Sequence, residues 1–387
     1  MIPYSRQDIT KEDITAVVKV LKSNLITQGS SVPKFESAIA KKVNVKYATA
    51  VNSATSALHI ACLALGVGSG DYVWTSANSF VASANCALYC GARIDLVDIN
   101  PVDWNMSIFD LSKKLKIAQK NKKLPKVIVS VHFTGQPVEQ EKLYKLSKKY
   151  GFKIIEDASH SLGAYRKKEP VGNCKWSDIT VFSFHPVKII TTGEGGIAVT
   201  KSKLLDKKLK SLRTHGIVRE SNELLNKSDG PWYFEQQSLG FNYRMTDIHA
   251  ALGISQLKRL DKIIKKRNSI ANIYNKKLLD LDIQKVLVDT NNISSYHLYP
   301  IVIKQDKSNS RHLRVFNYLQ ENGINVGLHY IPIYRHPYYK RFKFNLKEFP
   351  NTEKYYKSAI SLPIFYKLTN NQINKICKLL KEAMTIF

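Results

Sequence analysis

Short apolar runs alternate with amphipathic stretches from about residue 47 to residue 200. Short apolar runs bounded by turn residues are typical of buried strands, and the longer stretches are typical of helices that cross over a sheet. This alternation predicts an α/β domain with a mainly parallel sheet. The predicted strands are residues 48–51, 72–74, 94–97, 126–132, 153–156, 179–183 and 196–200, with helices at 55–65, 80–89 and 138–150.

The pattern changes after Ala250. A long Lys-rich helical stretch over residues 255–281 is followed by a polar loop at 289–295, an apolar strand at 296–303 and a helix at 311–322. This order predicts a smaller α+β domain. A chain of 387 residues also predicts about two domains from its length. We place the boundary near Gly253, which gives a large domain over residues 1–253 and a small domain over residues 254–387.

The chain is strongly basic, with 59 Lys and Arg against 31 Asp and Glu and a net charge of +28. Such a charge attracts polyanions. The lysine pairs, however, are dispersed over the polar faces of predicted helices and form no single basic block. We therefore expect solvated helix faces and no nucleic-acid partner, while an anionic small substrate would profit from the positive field.

The odd count of five cysteines is unlike the paired framework of a small secreted domain. Cys86 and Cys90 stand four residues apart and could share a metal ion, but no second Cys/His pair has matching spacing. We expect buried thiols, no metal and a reducing cytoplasm. The polar N-terminus and the absence of an apolar run of about 18 residues predict no signal peptide and no membrane span.

One acidic residue stands where α/β folds present functional groups. The apolar strand at 153–156 runs directly into Asp157, at the carboxyl end of a predicted parallel strand. An Asp in this position is also a common helix cap or turn residue. Asp157 is a candidate site residue that needs a chemical partner.

A lysine in apolar company supplies that partner. Lys188 is flanked by Val187, Ile189 and Ile190, and burial of an ammonium group lowers its pKa and frees the amine for a Schiff base. The alternative is a surface lysine whose stem covers apolar residues. The glycines that follow, at 193, 195 and 196, permit close approach of the backbone to a ligand and favour the chemical role.

Polar small residues join the first predicted strand to the first crossover helix. Asn52, Ser53, Thr55 and Ser56 lie at the N-terminus of that helix, where free amides bind phosphate well. Simple capping of the helix needs only one of these side chains. A phosphate site, an acid and a Schiff-base lysine together indicate pyridoxal 5′-phosphate (PLP) as the cofactor.

Five segments of the chain resemble the DegT-type sugar aminotransferases, and the resemblance covers nearly the whole sequence. They are residues 52–58, 79–85, 156–160, 183–188 and 240–244. The resemblance implies the type I fold of PLP-dependent aminotransferases, with a mainly parallel seven-stranded sheet in the large domain. It also implies a homodimer with shared active sites.

The resemblance also implies individual roles. Lys188 would form the Schiff base, Asp157 would pair with the ring nitrogen, Phe80 would stack on the ring, and His160, where many members have Gln, would lie near the ring hydroxyl. The phosphate would be held by Ser53, Ala54, Thr55 and Ser183, and by Asn242 from the neighbouring subunit. The reaction would be a ping-pong amino transfer from L-glutamate to a keto sugar.

Further stretches resemble the nucleotide-sugar 4-aminotransferases of pseudaminic acid biosynthesis. They are residues 4–5, 25–29, 297–300, 329–334 and 361–363. The implied acceptor is a UDP-linked 4-keto-6-deoxy-N-acetylhexosamine. Its pocket would be lined by Tyr4, Asn24, Leu25, Ile26, Thr27, Gly327, Leu328, His329 and Tyr330, with Tyr339 a weaker candidate. Packing at the domain seam is the alternative for these aromatic residues.

Three other functions remain open at this point. The acceptor could be a dTDP- or GDP-linked keto sugar. A related sugar dehydratase is disfavoured because those enzymes usually have His in place of the Schiff-base lysine. A basic regulator with a vestigial cofactor site would bind duplex nucleic acid in a salt-sensitive way.

Overall fold

The computed structural model describes residues 1–304 and 310–387. The strands in these ranges are β1 Tyr47–Val51, β2 Tyr72–Ser76, β3 Arg93–Val97, β4 Val127–Val131, β5 Lys153–Asp157, β6 Tyr165–Arg166, β7 Glu169–Pro170, β8 Ile179–Ser183, β9 Gly196–Thr200, β10 Ile217–Val218, β11 Glu235–Gln236, β12 Ile283–Lys285, β13 Asn292–Ile293, β14 Tyr299–Ile303 and β15 Ala359–Leu362. The helices are α1 Lys11–Leu21, α2 Ser31–Lys42, α3 Ala54–Ala64, α4 Ala82–Tyr89, α5 Ile108–Lys120, α6 Gln140–Tyr150, α7 Lys203–Arg213, α8 Asp247–Leu257, α9 Leu260–Lys277, α10 Arg311–Glu321, α11 Pro350–Tyr356 and α12 Asn370–Ile386.

Seven strands form one large sheet in the order β1-β9-β8-β5-β4-β2-β3. Strand β9 runs antiparallel to both of its neighbours, and the other adjacent pairs are parallel. Helices cover both faces, so every residue of β4 is buried and its sequence is apolar except for Ser130. The predicted mainly parallel seven-stranded α/β architecture is confirmed.

The second half of the chain builds a smaller antiparallel sheet in the order β12-β14-β15. Its core is formed by apolar residues from α9, α10 and α12 together with Ile2, which forms a parallel bridge with Ile324. The first residues of the chain therefore pack with the C-terminal sheet. Gly253 lies inside α8, and a domain division at this residue stays a prediction.

The predicted helix over residues 255–281 is wrong in its extent. Two helices, α8 and α9, occupy this region and are separated at Lys258 and Arg259. Helix α8 begins earlier because the hydroxyl of Thr246 accepts a hydrogen bond from the backbone N–H of His249. Arg259 lies between the two helices, and its guanidinium forms ion pairs with Asp8 and Asp13 near the N-terminus of the chain.

Two further predictions in this half are corrected. The strand predicted from residue 296 starts at Tyr299, because Tyr296 has a φ of 45°, which is incompatible with a strand. The loop predicted at 289–295 contains the short strand β13, which pairs with β6. No helix within residues 1–304 and 310–387 combines the length and the hydropathy needed to cross a bilayer.

Candidate active site

A cavity of about 640 Å³ lies at the carboxyl ends of β1, β2, β4, β5 and β8. Parallel strands direct their carboxyl ends toward the same edge of a sheet, which is where α/β folds bind ligands. Residues that follow these strands line the cavity together with the segments around His297 and His329 of the C-terminal half. Both halves of the chain therefore contribute to one site.

Asp157, the last residue of β5, is 5% exposed and has its carboxylate fixed by three donors. The hydroxyl of Ser83 donates to Oδ2 at 2.7 Å, while the backbone N–H and the hydroxyl of Ser159 donate to Oδ1 at 3.1 and 2.6 Å. The hydrogen bond from the Ser159 N–H forms a local turn, as expected if Asp157 were only a turn residue. The carboxylate also lines the cavity, so the turn positions Asp157 for a ligand.

Lys188 lies in the loop between β8 and β9 and directs its side chain into the cavity. Burial lowers the pKa of the Lys188 amine to about 8, and the negative charge of Asp157 acts in the opposite direction. The amine nitrogen lies 3.5 Å from Nε2 of His297. The structure thus places the amine at the cavity, and the alternative of a surface lysine is wrong.

The N-terminus of α3 forms one wall of the cavity. The Ser53 hydroxyl accepts a hydrogen bond from the backbone N–H of Ser56 at 3.1 Å, so Ser53 caps the helix as the simpler alternative expects. The first turn carries no acidic residue. The backbone N–H groups of Ala54 and Thr55 have no carbonyl acceptor within the helix, because they belong to its first turn. These amides and the helix dipole are suited to bind an anion at the cavity wall.

Close packing under this helix start depends on Gly196, the first residue of β9. A Cβ atom at Gly196 would lie 2.4 Å from the backbone nitrogen of Ala54 and from the carbonyl carbon and oxygen of Ser53. Only glycine permits this approach of two backbones. The predicted role of the glycines near Lys188 therefore has a specific structural basis at Gly196.

Three imidazoles surround the Lys188 amine. Burial, aided by the charge of Lys188, holds the pKa values of His160 and His297 well below the usual range and lowers that of His329 to about 4. The rings of His160 and His297 lie 4.3 Å apart, and Nε2 of His160 lies 3.0 Å from the hydroxyl of Tyr330. All three imidazoles are therefore neutral at physiological pH.

Most of the predicted site residues come together in this cavity. The residues found in its lining are Tyr4, Ser53, Ala54, Thr55, Phe80, Asp157, His160, Ser183, Lys188, His329 and Tyr330. Phe80 is 56% exposed, and its ring lies 6.0 Å from that of Tyr330. Its side chain is thus accessible to a ligand.

Other predicted residues lie outside the cavity lining. Asn242 and residues 24–27 are exposed on the surface. Asn242 lies near the start of α3, because the carbonyl of Tyr243 accepts a hydrogen bond from the Asn52 N–H, whereas residues 24–27 lie beside the start of α8, where Thr27 forms a bridge with Thr246. Gly327 pairs with Ser361, and Leu328 packs against the C-terminal core, so both support the segment that carries His329. Their roles in binding stay predictions.

Tyr339 requires a correction as a cavity residue. Its side chain is 2% exposed within the core of the large sheet, and its hydroxyl donates to Asn85 Oδ1. Packing, the alternative for these aromatic residues, accounts for its position.

Sequence reasoning missed the roles of Ser83 and His297. The hydroxyl of Ser83 holds Asp157 and also pairs with the hydroxyl of Ser79, which lies in the turn before α4, so no helical spacing signals this role. His297 is 109 residues from Lys188 along the chain, and no local pattern indicates their contact.

The chain matches the model of the DegT/DnrJ/EryC1/StrS aminotransferase family over residues 7–381. It is 39% identical over 364 residues to the UDP-4-amino-4,6-dideoxy-N-acetyl-beta-L-altrosamine transaminase of Campylobacter jejuni, covering 94% of this chain and 92% of the relative. The structure is similar to that of Helicobacter pylori PseC, an aminotransferase of pseudaminic acid biosynthesis, with a TM-score of 0.91, 33% identity and full coverage of both chains.

A PLP-form structure of the putative sugar aminotransferase Spr1654 from Streptococcus pneumoniae is also similar, with a TM-score of 0.89 and 27% identity over 100% of this chain and 99% of that one. The fold and the site define a PLP-dependent sugar aminotransferase. The chain belongs to the DegT/DnrJ/EryC1/StrS aminotransferase family.

The groups in the cavity fit PLP. The buried Lys188 amine suits its aldehyde, the fixed Asp157 carboxylate suits a protonated ring nitrogen, and the amides at the start of α3 suit its phosphate. Nδ1 of His160 is buried and has no hydrogen-bond partner among the described residues. No group of three or more His, Cys, Asp or Glu side chains within residues 1–304 and 310–387 could hold a metal ion.

Proposed function

We propose that this chain transfers the amino group of L-glutamate to carbon 4 of a UDP-linked 4-keto-6-deoxy-N-acetylhexosamine, a step of pseudaminic acid biosynthesis. The observation that carries the amino transfer is the buried Lys188 amine in the same cavity as the Asp157 carboxylate. The names of the C. jejuni relative and of H. pylori PseC support the pathway and the substrate.

PLP, when bound, supplies an aldehyde for the amine and a ring that accepts electrons. The Lys188 nitrogen is suited to hold the cofactor and, once released, to move a proton, because its pKa of about 8 lies near physiological pH. The Asp157 carboxylate, held by Ser83 and Ser159, favours a protonated ring nitrogen. The amides of Ala54 and Thr55, with Ser53 and Ser183, bind the phosphate.

The neutral imidazoles shape the electrostatics of the site. Because His160, His297 and His329 carry no charge at physiological pH, Asp157 faces only one nearby cation, the Lys188 amine, within the described lining. This arrangement leaves the Asp157 charge available for the ring nitrogen. Phe80 offers its exposed ring for stacking on the cofactor.

The sugar is bound on the side of the cavity that carries Tyr4, His329 and Tyr330. The ring of Tyr4 lies 5.4 Å from that of His329, and Nδ1 of His329 is hydrogen-bonded to the Ser361 hydroxyl at 2.9 Å. These contacts orient the imidazole toward a polar ligand. The net charge of +28 favours the approach of the anionic diphosphate.

A second copy of the chain completes the site in our proposal. Asn242 lies near the start of α3 and residues 24–27 lie beside the start of α8, and both segments are outside the cavity lining of their own chain. Leu25 and Ile26 are 58% and 49% exposed. Trp232 and Leu239, which precede Asn242 in the sequence, are 73% and 80% exposed. Exposed apolar side chains of this kind support a protein interface, here a homodimer in which Asn242 reaches the partner's phosphate.

We also place the protein in the cytoplasm. All five cysteines are free thiols, which supports a reducing compartment.

The reaction is tested with the protein in its pyridoxamine phosphate form. We expect the UDP-linked 4-keto-6-deoxy-N-acetylhexosamine to restore the aldehyde spectrum, and L-glutamate to remove it again. The Lys188→Ala variant should lower turnover by about 10²–10⁴-fold, since positioned acid–base groups contribute that much. The Lys201→Ala variant, at an exposed lysine, serves as the control.

The two parts of the proposal fail separately in this experiment. If only dTDP- or GDP-linked keto sugars restore the spectrum, the substrate is wrong and the amino transfer stands. If no keto sugar and no amino acid changes the spectrum, the amino transfer itself is wrong.

A further inference from the structure

His297 lies beside the Lys188 amine, in the segment between β13 and β14. Its Nε2 lies 3.5 Å from Nζ of Lys188. Within residues 1–304 and 310–387, this amine has no other hydrogen-bonding partner. An ammonium group has donors and no acceptor, so the charged form of Lys188 needs an acceptor at this point. The imidazole of His297 supplies it.

The backbone around His297 is fixed by the large sheet. The N–H of Ser295 donates to the carbonyl of Gly135 at 3.1 Å, and the N–H of Leu298 donates to the carbonyl of Thr134 at 3.3 Å. Both acceptors follow β4, at the same edge of the sheet as the cavity. The position of His297 beside Lys188 is therefore set by the sheet and not by a free loop.

A buried arginine on α9 binds the same segment. Arg267 is 2% exposed and donates through Nη1 to the carbonyls of Tyr296, His297 and Ile364 at 2.9, 3.3 and 3.0 Å. Burial lowers the pKa of Arg267 only to about 10, so the guanidinium stays charged at physiological pH. Burial of His297, with the nearby charges of Lys188 and Arg267, keeps its pKa low and its imidazole neutral. A neutral imidazole has one nitrogen that can accept a hydrogen bond.

Packing alone does not account for a histidine at this position. The ring lies 4.3 Å from that of His160, and its Nδ1 is buried without a hydrogen-bond partner among the described residues. A buried polar atom without a partner is unfavourable, and an apolar ring would fill the same space without one. The nitrogen that faces Lys188 is the feature that an apolar ring could not supply.

We propose that His297 is a catalytic residue, whose Nε2 accepts a hydrogen bond from the Lys188 amine when that amine is not bonded to the cofactor. The contact directs the amine toward the ligand, and contacts of this kind shorten once a substrate is bound. Arg267 is a positioning residue, because it binds the backbone that carries His297 and not the reacting atoms. This role rests on the function proposed for Lys188 and holds for any amino donor or keto sugar.

Three substitutions at position 297 differ in where they place an acceptor. His297→Gln places an amide oxygen about as far from the backbone as Nε2, His297→Asn places it near the position of Nδ1, and His297→Phe keeps a ring without an acceptor. The full-length protein in its pyridoxamine phosphate form, which leaves the Lys188 amine free, is treated with trace acetic anhydride at a series of pH values. Mass spectrometry gives the acetylation of Lys188 relative to that of the exposed Lys201.

We expect the pH at which Lys188 becomes reactive to fall by about one unit in His297→Asn and His297→Phe and to stay unchanged in His297→Gln. A hydrogen bond to the ammonium form raises the pKa of the amine, so the loss of that bond lowers it. The other titratable groups whose charge is coupled to the amine are the same in all four proteins. They are Asp157, His160 and His329.

The same variants are compared in amino transfer. In His297→Asn and His297→Phe, kcat should fall about 10- to 100-fold with KM nearly unchanged, as expected for the loss of a hydrogen bond to a charged group. His297→Gln should keep most of the rate. His336→Asn, outside the cavity lining, is the control.

The crystal structure of the unmodified protein in the same form decides the question even where a variant does not fold. Nζ of Lys188 should lie within about 3.2 Å of Nε2 of His297. An amine turned to another acceptor, or His297→Asn and His297→Phe proteins that titrate and turn over as His297→Gln does, would overturn the role of His297. If instead PLP fails to protect Lys188 from acetylation in the unmodified chain, the function proposed for Lys188 is wrong.

Discussion

The Lys188 amine shares its cavity with three imidazoles that burial keeps neutral. His160, His297 and His329 each have a pKa below the usual range, and the nearby charge of Lys188 contributes to each shift. A neutral imidazole can accept a hydrogen bond from an ammonium group or donate one to a neutral amine, depending on its tautomer. Nε2 of His297 lies 3.5 Å from the amine, so His297 can form a hydrogen bond with Lys188 whether the amine is protonated or neutral.

Because these imidazoles are neutral in the folded protein, we expect the free energy of unfolding to fall in mild acid. The unfolded chain binds a proton at each histidine below a pH of about 6.5, whereas folded His329 does so only below about 4. Between these values the unfolded state binds more protons, so the free energy of unfolding decreases as the pH falls. His329 alone contributes a loss of about 3 kcal/mol by pH 4.

The measurement is urea-induced unfolding at a series of pH values between 7 and 4.5. The His329→Asn variant keeps a partner for the Ser361 hydroxyl, and its stability should decline less steeply with falling pH. His336→Asn, outside the cavity lining, should keep the slope of the unmodified protein. Equal slopes for the His329 variant and the unmodified chain would contradict the assignment of a neutral, buried imidazole.

Local sequence was sufficient to select Lys188 and Asp157 as candidates, and the structure brings both into one cavity. An apolar strand that ends in an acid, and a lysine among apolar side chains, are both visible within a few positions. The contact between His297 and Lys188 arises only when the segment before β14 and the β8–β9 loop meet in three dimensions. Tyr339 shows the converse, because an aromatic residue that was a candidate for the substrate pocket packs in the core instead.

At the scale of elements, the start of α3 depends on its contact with the first residue of β9. Gly196 lies opposite Val51 in β1 and Ser183 in β8, so the sheet register fixes its position beneath Ser53 and Ala54. A side chain here cannot be accommodated by rotation of a neighbour, because the atoms in contact belong to the backbone. The turn that begins α3 and the sheet are thus one packed unit.

The Gly196→Ala variant should therefore displace the start of α3. We expect a loss of about 1–3 kcal/mol in the free energy of unfolding, as for other overpacked sites, and weaker binding of PLP. Gly68→Ala is the matched control, since a Cβ at Gly68 meets no atom within 4 Å. Thermal unfolding and a fluorescence titration with PLP measure the two effects. Unchanged PLP affinity in a destabilised Gly196→Ala protein would show that the turn does not bind the cofactor.

Elements with a strong hydrophobic period were predictable, and short or irregular ones were not. Each of the seven strands of the large sheet overlaps its prediction, because buried parallel strands are apolar along their length. The two-residue strands β6, β7 and β13 carry too few positions for any period. The break between α8 and α9 depends on the distant partners of Arg259, Asp8 and Asp13, which local sequence does not contain.

At the scale of the whole molecule, the site combines both ends of the chain. Tyr4 from the N-terminus and His329 from the C-terminal half line one cavity with the ends of the large sheet. The exposed segment around Asn242 lies beside this cavity yet outside its lining. In the proposed homodimer, symmetry gives each cavity an Asn242 from the other copy.

Shared sites predict that two inactive variants restore activity when they form a mixed dimer. Lys188→Ala removes the amine, and Asn242→Asp places a carboxylate against the partner's phosphate. A mixed dimer then contains one site with an intact Lys188 from one copy and an intact Asn242 from the other. Because random exchange makes half of the dimers mixed, and one of their two sites is intact, we expect about a quarter of the unmodified activity.

The control is the same mixture made from Lys188→Ala and Asp157→Asn. Both of these residues line the cavity of their own chain, so each site of this mixed dimer lacks one of them and activity should stay absent. Turnover is measured after equal amounts of the two variants have exchanged subunits, with light scattering to verify the dimer. If the Asn242→Asp mixture also remains inactive, Asn242 acts within its own chain and the shared site is wrong; an Asn242→Asp variant that is active by itself would show that Asn242 does not reach the phosphate. The contrast between the two mixtures therefore tests which copy supplies Asn242, independently of the sugar that the enzyme accepts.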